Sequence, residues 1–408
     1  MNLDRIQRWF GGSTGVLAGG RFVGSRVPRV GPARRGAAER RLTRLLELAD
    51  VRVNGDRPWD LQVHDPRFFA RVWQQESLGL GDSYVEGWWD CAAIDELTCR
   101  VLRADLPARM PPALPLILGR LRARLWNLQR GRGGRKVATL HYDAGNALFE
   151  AMLGPTMNYS CAYWRRAATL DEAQEHKMRL IARKLRLGPG DRLLDIGCGW
   201  GGLLRFVAEH YGCTGVGVTL SPEQQRYAAD WCRGRPVEVL LADYRDPALA
   251  RGPFTKVVSV GMFEHVGARN HRRMLDLAAG LLPEGGLFLL HTFGRSVDAS
   301  LDVWVDRHVF PNSYLPTIED IGRASHGRLV MEDWHNFGAD YDRTLMAWQE
   351  RFDRWASAQG PAMTPERRRA WRYYLLTFAG AFRARTRIQL WQVVFSRGGV
   401  PGGYQAPR

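Results

Sequence analysis

Lysine is scarce in this chain, and the patterns that mark metal sites and disulfides are missing. Four of the 408 residues are lysine, although lysine and arginine together number 58. Six cysteines form no C-x-x-C pair and none of the Cys/His spacings of zinc sites. They are Cys91, Cys99, Cys161, Cys198, Cys213 and Cys232. We therefore expect reduced thiols and no bound metal.

Long apolar runs are missing too. No window of about 18 uncharged apolar residues exists, so no transmembrane helix is predicted. Arginine and glycine interrupt the N-terminal residues before a signal-like apolar region can form. These absences predict a cytoplasmic protein.

The charge balance is strongly basic, with a formal net charge of +16 at pH 7. Arginine supplies nearly all of the positive charge. This fits either a bias of genomic base composition or a polyanionic partner, because guanidinium groups bind phosphates as forks. Nucleic acid and an anionic membrane surface both fit, and charge alone does not choose between them.

Composition divides the chain into four segments, and its length predicts two domains, one of them large. Residues 1–36, rich in Gly, Arg and Pro, are predicted to be a flexible leader. Residues 37–110 predict a small, mainly helical N-terminal domain with a hairpin around Asn54-Gly55. Residues 111–136 predict a basic amphipathic linker, either a helix in a membrane interface or an interdomain helix with a solvated face. Residues 137–408 form the larger domain.

Helices and strands alternate in the larger domain, which predicts a doubly wound α/β sheet. Seven strands are expected, over residues 192–196, 213–220, 237–244, 255–263, 285–293, 328–337 and 389–396. In such a sheet the ligand lies beyond the carboxyl ends of the strands.

The segment from Arg192 to Gly202, RLLDIGCGWGG, is the centre of this domain. A short apolar strand is followed by glycines that allow a sharp turn and a close approach to a ligand. Residues 203–210 have helical spacing. Because the spacing is D-x-G-x-G, and no G-x-x-x-x-G-K-[ST] occurs, neither a dinucleotide nor a nucleoside triphosphate is favoured.

This segment resembles the first motif of class I S-adenosylmethionine methyltransferases. The resemblance implies that the glycine turn packs under the methionine part of the cofactor. It also implies that Asp195 orients the turn or a cofactor amine, and a plain helix cap is the alternative for Asp195.

Polar residues follow the ends of successive predicted strands and predict a site at that edge of the sheet. They are Thr219 and Gln224 after the second strand, Asp243 and Tyr244 after the third, Glu264 and His265 after the fourth, and His291 at the end of the fifth.

Several longer motifs resemble the cyclopropane-fatty-acyl-phospholipid synthases, of the mycolic acid cyclopropane synthase family. They include HYDAGNALFEAMLGPTMNYSCAYW (141–164), GVTLSPEQQ, VGMFEHVG (260–267), FLLHTFG (288–294), MEDWHNFGADYDRTLMAW (331–348) and AGAFRARTRIQLWQVVFSR (379–397). The resemblance runs from about residue 40 to the C-terminus. It implies a class I methyltransferase (Rossmann-like) fold, with residues 37–110 binding lipid and residues 137–408 performing catalysis.

The resemblance implies that the methyl group of S-adenosylmethionine is transferred to a cis double bond of a phospholipid acyl chain. A proton is then removed by bound bicarbonate, and a cyclopropane ring closes. The implied bicarbonate ligands are Cys161, Glu264, His291 and Tyr341. The implied cofactor contacts are Tyr159, Ser160, Asp195, Gly197, Cys198, Gly199, Thr219, Gln224, Asp243 and Tyr244.

Two positions depart from the family pattern. Phe378 stands where a cysteine sometimes assigned as catalytic occurs, so a thiol mechanism there is excluded. Phe293 stands where isoleucine is frequent, which puts the acyl-chain preference in doubt.

The expected partners are phospholipid acyl chains at a membrane surface, with anionic headgroups favoured, and no nucleic acid. We expect a peripheral location on the inner face of the membrane and, by family likeness, a homodimer. The main alternative is a related lipid methyltransferase that makes methyl-branched acyl chains. A methyltransferase acting on a soluble amine and a nucleic-acid-binding protein are further alternatives.

Overall fold

The computed structural model describes residue 17 and residues 22–27, 31–110, 145–250, 253–297 and 302–408. The predicted linker, 111–136, lies outside the described residues, as does most of the predicted leader.

The N-terminal part is mainly helical, as predicted. It contains α1 (Pro32–Leu48), α2 (Arg67–Val85), α3 (Ile94–Arg103), the four-residue α4 (Leu106–Arg109) and the short strands β1 (Gln62–Val63) and β2 (Trp89–Asp90). Helix α1 begins before the predicted domain boundary at residue 37, with its proline in the first turn, where no backbone N–H is needed.

The predicted hairpin around Asn54-Gly55 is wrong. The buried carboxylate of Asp60 accepts a hydrogen bond from the backbone N–H of Arg52 at 2.8 Å, which folds the intervening residues into a loop. Strand β1 pairs antiparallel with β2, which is distant in the sequence, so a local turn signal is overridden by tertiary pairing.

The larger part alternates helices and strands. Its helices are α5 (Asn146–Leu153), α6 (Leu170–Leu185), α7 (Gly202–Tyr211), α8 (Pro222–Trp231), α9 (His271–Leu281), α10 (Val303–His308), α11 (Ile318–Ser325), α12 (Gly338–Ala358) and α13 (Pro365–Ala384). Its strands are β3 (Arg192–Ile196), β4 (Thr214–Thr219), β5 (Val237–Leu241), β6 (Lys256–Val260), β7 (Leu287–Arg295), β8 (Val330–Asn336) and β9 (Ile388–Ser396).

All seven predicted strands are present and form one sheet in the order β5-β4-β3-β6-β7-β9-β8. Strands β3 to β7 pair in parallel, whereas β9 lies antiparallel between β7 and β8. Both faces are covered: Leu194 packs into one hydrophobic cluster and its neighbour Leu193 into another. The sheet is therefore mixed, and the glycine turn follows β3, the third of its seven strands.

One hydrophobic core joins the N-terminal part to the last two helices. The ring of Trp89 packs against that of Tyr373 on α13, with centroids 6.4 Å apart. The guanidinium group of Arg369 donates to the carbonyl oxygen of Trp89 at 2.7 Å and pairs with Asp90 at the same distance. A Cβ added to Gly380 would clash with the backbone of α3. The predicted boundary near residue 110 is thus no break in the core.

The described residues of the predicted leader contact this core. Phe22 packs against His308, ring centroids 5.5 Å apart, and the indole of Trp371 donates to the carbonyl oxygen of Leu17 at 3.2 Å. None of the helices in the described ranges has an apolar stretch long enough to cross a bilayer.

Candidate active site

The turn after β3 has the backbone geometry that its glycines permit. Gly197 has φ +89°, and a Cβ there would come within 2.9 Å of the Met262 side chain. Gly202 begins α7 and lies against the carbonyl of Thr156, where a Cβ would clash. The turn therefore packs closely between the β6 loop and the 154–160 loop.

A cavity opens at this turn, and all ten residues predicted to contact the cofactor line it. They are Tyr159, Ser160, Asp195, Gly197, Cys198, Gly199, Thr219, Gln224, Asp243 and Tyr244. The loops after β3, β4, β5 and β6 form its walls, together with residues 157–160 and 310–312. The structure brings these predicted residues together, and their contact with a cofactor stays a prediction.

Asp195 is a buried acceptor in this cavity, 3% exposed. Burial raises the pKa of its carboxyl to about 7, and the attraction of Lys177 opposes that rise. Its Oδ1 atom has no hydrogen-bond partner among the described residues. Asp195 does not cap α7, because the N-cap is Gly201 and no side chain bonds there, so the helix-cap alternative is wrong. An amine donor would satisfy the free oxygen.

The far wall presents amide and carboxylate groups. The Thr219 hydroxyl donates to Gln224 Oε1 at 2.8 Å, which holds the amide nitrogen on the glycine side. Both oxygens of Asp243 accept hydrogen bonds from Arg245, at 2.7 and 2.5 Å. Sequence reasoning missed Arg245, which fixes the orientation of Asp243.

Lys177 is the second residue that the sequence reasoning missed. It lies on α6 and lines the cavity, and its ammonium donates to Ser160 Oγ at 2.8 Å and Asn158 Oδ1 at 3.2 Å. Burial lowers the pKa of Lys177 to about 7, and the attraction of Cys161 and Asp195 opposes that fall. Lys177 falls on the buried stripe of α6 with Ala173 and Ile181, a spacing that would have marked it.

Glu264 lies in the short 3₁₀ turn that follows β6, Phe263–His265, and its side chain contacts β7. Its Oε2 accepts a hydrogen bond from the Thr292 hydroxyl at 3.1 Å, and its carboxylate also accepts one from the backbone N–H of Phe293. Burial raises the pKa of Glu264 to about 7, although both hydrogen bonds oppose the rise. The neighbouring His265 lines the cavity, and burial lowers its pKa to about 4.

His291 is a buried, neutral imidazole on β7. Its Nδ1 atom lies 3.2 Å from the Gln392 amide on the adjacent strand β9. Burial holds the pKa of His291 well below its usual range, and Lys177 and Lys184 add to the effect. Its Nε2 atom has no partner among the described residues. When the Gln392 amide donates to Nδ1, Nε2 carries a hydrogen that is free to bind an anion.

Tyr341 lies on α12, and Cys161 contacts the same helix through Thr344. The Tyr341 ring stacks on Phe293 with centroids 5.4 Å apart. The Cys161 sulfur lies 3.9 Å from the hydroxyl of Thr344, which accepts a hydrogen bond from the backbone N–H of Ala162 at 3.1 Å. Burial raises the pKa of the Cys161 thiol well above its usual range, so the thiol is neutral.

The four predicted catalytic residues therefore lie in one connected neighbourhood. Glu264 rests on the two residues that follow His291 on β7, and Phe293 carries the contact on to Tyr341. None of the four is among the described residues that line the glycine-turn cavity, so they form a layer beside it.

Comparison with known proteins identifies the family. A family model described as mycolic acid cyclopropane synthetase matches residues 131–393. The chain belongs to this family. It is 48% identical over 365 residues to the cyclopropane-fatty-acyl-phospholipid synthase of Escherichia coli (strain K12), covering 89% of this chain and 94% of the relative.

Solved structures agree. The cyclopropane synthase MmaA2 from Mycobacterium tuberculosis is 31% identical, with a TM-score of 0.60, covering 64% of this chain and 98% of that chain. Mycolic acid cyclopropane synthase CmaA1, complexed with SAH and CTAB, is 29% identical, with a TM-score of 0.58 and the same coverage. The predicted family, the class I methyltransferase fold and the predicted enzyme class are confirmed.

The two departures from the family pattern lie close to the site. Phe378 on α13 is buried, with its ring 5.0 Å from Tyr374. The hydroxyl of Tyr374 lies 3.0 Å from that of Tyr159 in the cavity wall. Phe293 stacks on Tyr341, so both substitutions put an aromatic ring where the pattern has a smaller side chain.

Proposed function

We propose that this chain transfers the sulfonium methyl group of S-adenosylmethionine to a cis double bond of a phospholipid acyl chain and then closes a cyclopropane ring. One observation carries the proposal: a layer of buried acid–base groups adjoins the glycine-turn cavity of a chain that matches a cyclopropane-fatty-acyl-phospholipid synthase over 94% of that relative.

The cavity residues fit the cofactor. The unpartnered Oδ1 of Asp195 would accept from the methionine ammonium, and the amide of Gln224 would contact the ribose. Asp243 and Tyr244 would hold the adenine, and the Asp243 carboxylate would keep its hydrogen bond from Arg245. When bound, the cofactor supplies an electrophilic methyl group.

The layer beside the cavity suits a cation formed on the acyl chain. An alkene is a weak nucleophile, so the chain must hold it against the methyl group and exclude water. The rings of Phe293, Tyr341 and Phe382 lie within 5.7 Å of one another. Aromatic faces stabilise a nearby cation by about 0.5–2 kcal/mol each.

Bicarbonate would supply the base at Cys161, Glu264, His291 and Tyr341. The free Nε2–H of His291 and the hydroxyl of Tyr341 would donate to the anion. Glu264 would accept a hydrogen bond from the anion's hydroxyl group, since two bare anions in a buried site repel. Burial raises the pKa of Glu264 to about 7, so its carboxylate is a more basic hydrogen-bond acceptor than an exposed carboxylate, which supports the accepting role.

The basic charge supports docking to a membrane surface. Basic residues attract anionic headgroups with about 1 kcal/mol each near the surface, and salt weakens the attraction. The inner-face location, the homodimer and the lipid-binding role of residues 37–110 stay predictions.

The experiment is incubation of the purified chain with vesicles of unsaturated phospholipid and methyl-labelled S-adenosylmethionine, with and without bicarbonate. We expect label in acyl chains that gain CH₂ and lose their alkene, with faster turnover when bicarbonate is added. Labelled chains that keep an alkene favour the methyl-branching alternative. Absence of label from lipid contradicts the proposal.

A further inference from the structure

A second, strongly basic pocket lies on the outer side of α6. Five arginines and one histidine surround it: Arg165, Arg166, His176, Arg179, Arg183 and Arg408. His176, Arg179 and Arg183 recur at helical spacing, so they share one face of α6. The backbone carbonyl of Arg165 is held by the His176 ring at 3.1 Å, which ties the preceding loop to the helix.

The positive charge of this arginine pocket is only partly neutralised by neighbouring carboxylates. Arg179 pairs with Glu175 at 2.5 Å, and Arg408 pairs with Asp333 at the same distance. Arg165, Arg166 and Arg183 have no carboxylate partner among the described residues. All three are exposed. Like charges that line one pocket repel one another, and a bound anion would relieve that repulsion.

The nearby carboxylates are already engaged. Asp171 pairs with Arg351 at 2.9 Å, and Glu172 accepts from the backbone N–H groups of Ala168 and Thr169 at the start of α6. Neither is available to neutralise the three arginines.

The residues that line the pocket suit a phosphate that carries an apolar group. Guanidinium forks bind phosphate oxygens in pairs, and here several converge on one concavity. The buried Leu180 and the ring of Tyr163 also line it. The Tyr163 ring lies 5.2 Å from Phe337, whose ring lies 5.6 Å from His291, so one aromatic layer separates the pocket from the catalytic neighbourhood.

We propose that the arginine pocket binds the phosphodiester of an anionic phospholipid headgroup, which docks the catalytic part of the chain on the bilayer. The inference rests on the proposed lipid substrate. It places a docking site on α6, in addition to the lipid-binding role that the family resemblance implies for residues 37–110.

The test is sedimentation of the full chain with vesicles of phosphatidylglycerol and phosphatidylcholine, and with phosphatidylcholine alone. The variant Arg165→Gln/Arg166→Gln/Arg183→Gln is compared with Arg233→Gln/Arg323→Gln/Arg354→Gln, which removes the same charge from exposed positions elsewhere. We expect the pocket variant to lose roughly tenfold or more in affinity for the anionic vesicles, given the attraction per basic residue. The control variant should lose threefold or less.

Equal losses in the two variants, or no loss in the pocket variant, overturn the proposal. Calorimetry with inorganic phosphate separates the two sources of phosphate: tight binding lost in the pocket variant, without a vesicle effect, overturns the lipid assignment. A thermal shift with S-adenosylhomocysteine verifies that each variant is folded. Methyl transfer by the unaltered chain to detergent-dispersed zwitterionic lipid tests the proposed function separately.

Discussion

The hydroxyl of Thr292 donates a hydrogen bond to Oε2 of Glu264 at 3.1 Å, in a site with almost no water access. The bond fixes one carboxylate oxygen of Glu264 on the strand that carries His291.

Replacing Glu264 with glutamine removes an acceptor but keeps the volume. We expect turnover to fall by about 10²–10⁴-fold, the usual contribution of a positioned acid–base group. The affinity for S-adenosylhomocysteine should stay within about twofold, because Glu264 does not line the cofactor cavity. Single-turnover kinetics and calorimetry measure the two quantities. Near-normal turnover would remove Glu264 from the proton-abstraction step.

Cofactor binding should depend on pH through Asp195. Its pKa is raised to about 7, so the carboxyl is protonated at lower pH, and an ammonium group binds the charged form better. Affinity for S-adenosylhomocysteine should therefore fall as the pH drops below 7, and binding at pH 7 should release a proton. Calorimetry in buffers of different ionisation enthalpy measures this. In Asp195→Asn the proton release should disappear, and its persistence would contradict the assignment.

Stability should respond to the same group. Because the folded pKa of Asp195 exceeds its ordinary value of 3.8, the folded state binds more protons, and its contribution to stability falls as the pH rises from about 4 to 7. The free energy of unfolding of the wild type, relative to Asp195→Asn, should decline over that window. Denaturant titrations at several pH values report it, and a rising difference would show that the carboxyl is not desolvated.

Lys177 positions the loop that carries Tyr159 and Ser160. In Lys177→Met the two hydrogen bonds are lost, so the KM for S-adenosylmethionine should rise roughly tenfold, as expected for loss of bonds to a charged donor. Lys184→Met is the matched control: Lys184 is buried on the same helix but pairs with Asp333 at 3.1 Å, away from the cavity. The control should lose thermal stability with little change in KM. The same KM in both variants would show that Lys177 has only a structural role and does not position the cofactor-binding loop.

The contact between α3 and α13 should be sensitive to one methyl group. Gly380→Ala places a Cβ against the carbonyl of Asp95, and we expect destabilisation by about 1–3 kcal/mol. Gly280→Ala, on α9 with open space around it, should stabilise by about 0.4–1 kcal/mol. Urea unfolding of both variants measures the difference. Equal effects of the two substitutions would mean that α3 and α13 are less closely packed than the structure shows.

The strands and the cofactor cavity could be predicted from sequence because their signals are local. An apolar run of strand length followed by glycine or a polar residue places β3 and Asp195 without knowledge of any neighbour. The antiparallel β9 could not be assigned this way, since the same apolar run suits either direction. The hairpin predicted at Asn54-Gly55 is wrong for a related reason: a local turn pattern does not show that β1 pairs with a distant strand, through Val63 and Trp89.

Contacts that depend on distant segments were missed. From the sequence, Lys177 is one charged residue among several on a helix. Its hydrogen bonds to Asn158 and Ser160 depend on a loop that only the fold places beside it. Arg165 and Arg408 are far apart in the chain, and only the packing of the last residues against β8 through Asp333 brings them to one pocket. Such juxtapositions carry no local pattern.

The aromatic contacts that run from Trp89 through Tyr373 into α13 continue from Trp371 to Phe149 and then to Trp200 in the cavity wall. We therefore expect the N-terminal helices and the cavity wall to unfold together, and excision of residues 31–110 would expose Tyr373, which packs against Trp89. A shorter enzyme of this architecture would have to evolve a different lid for α13 before it could dispense with the first helices.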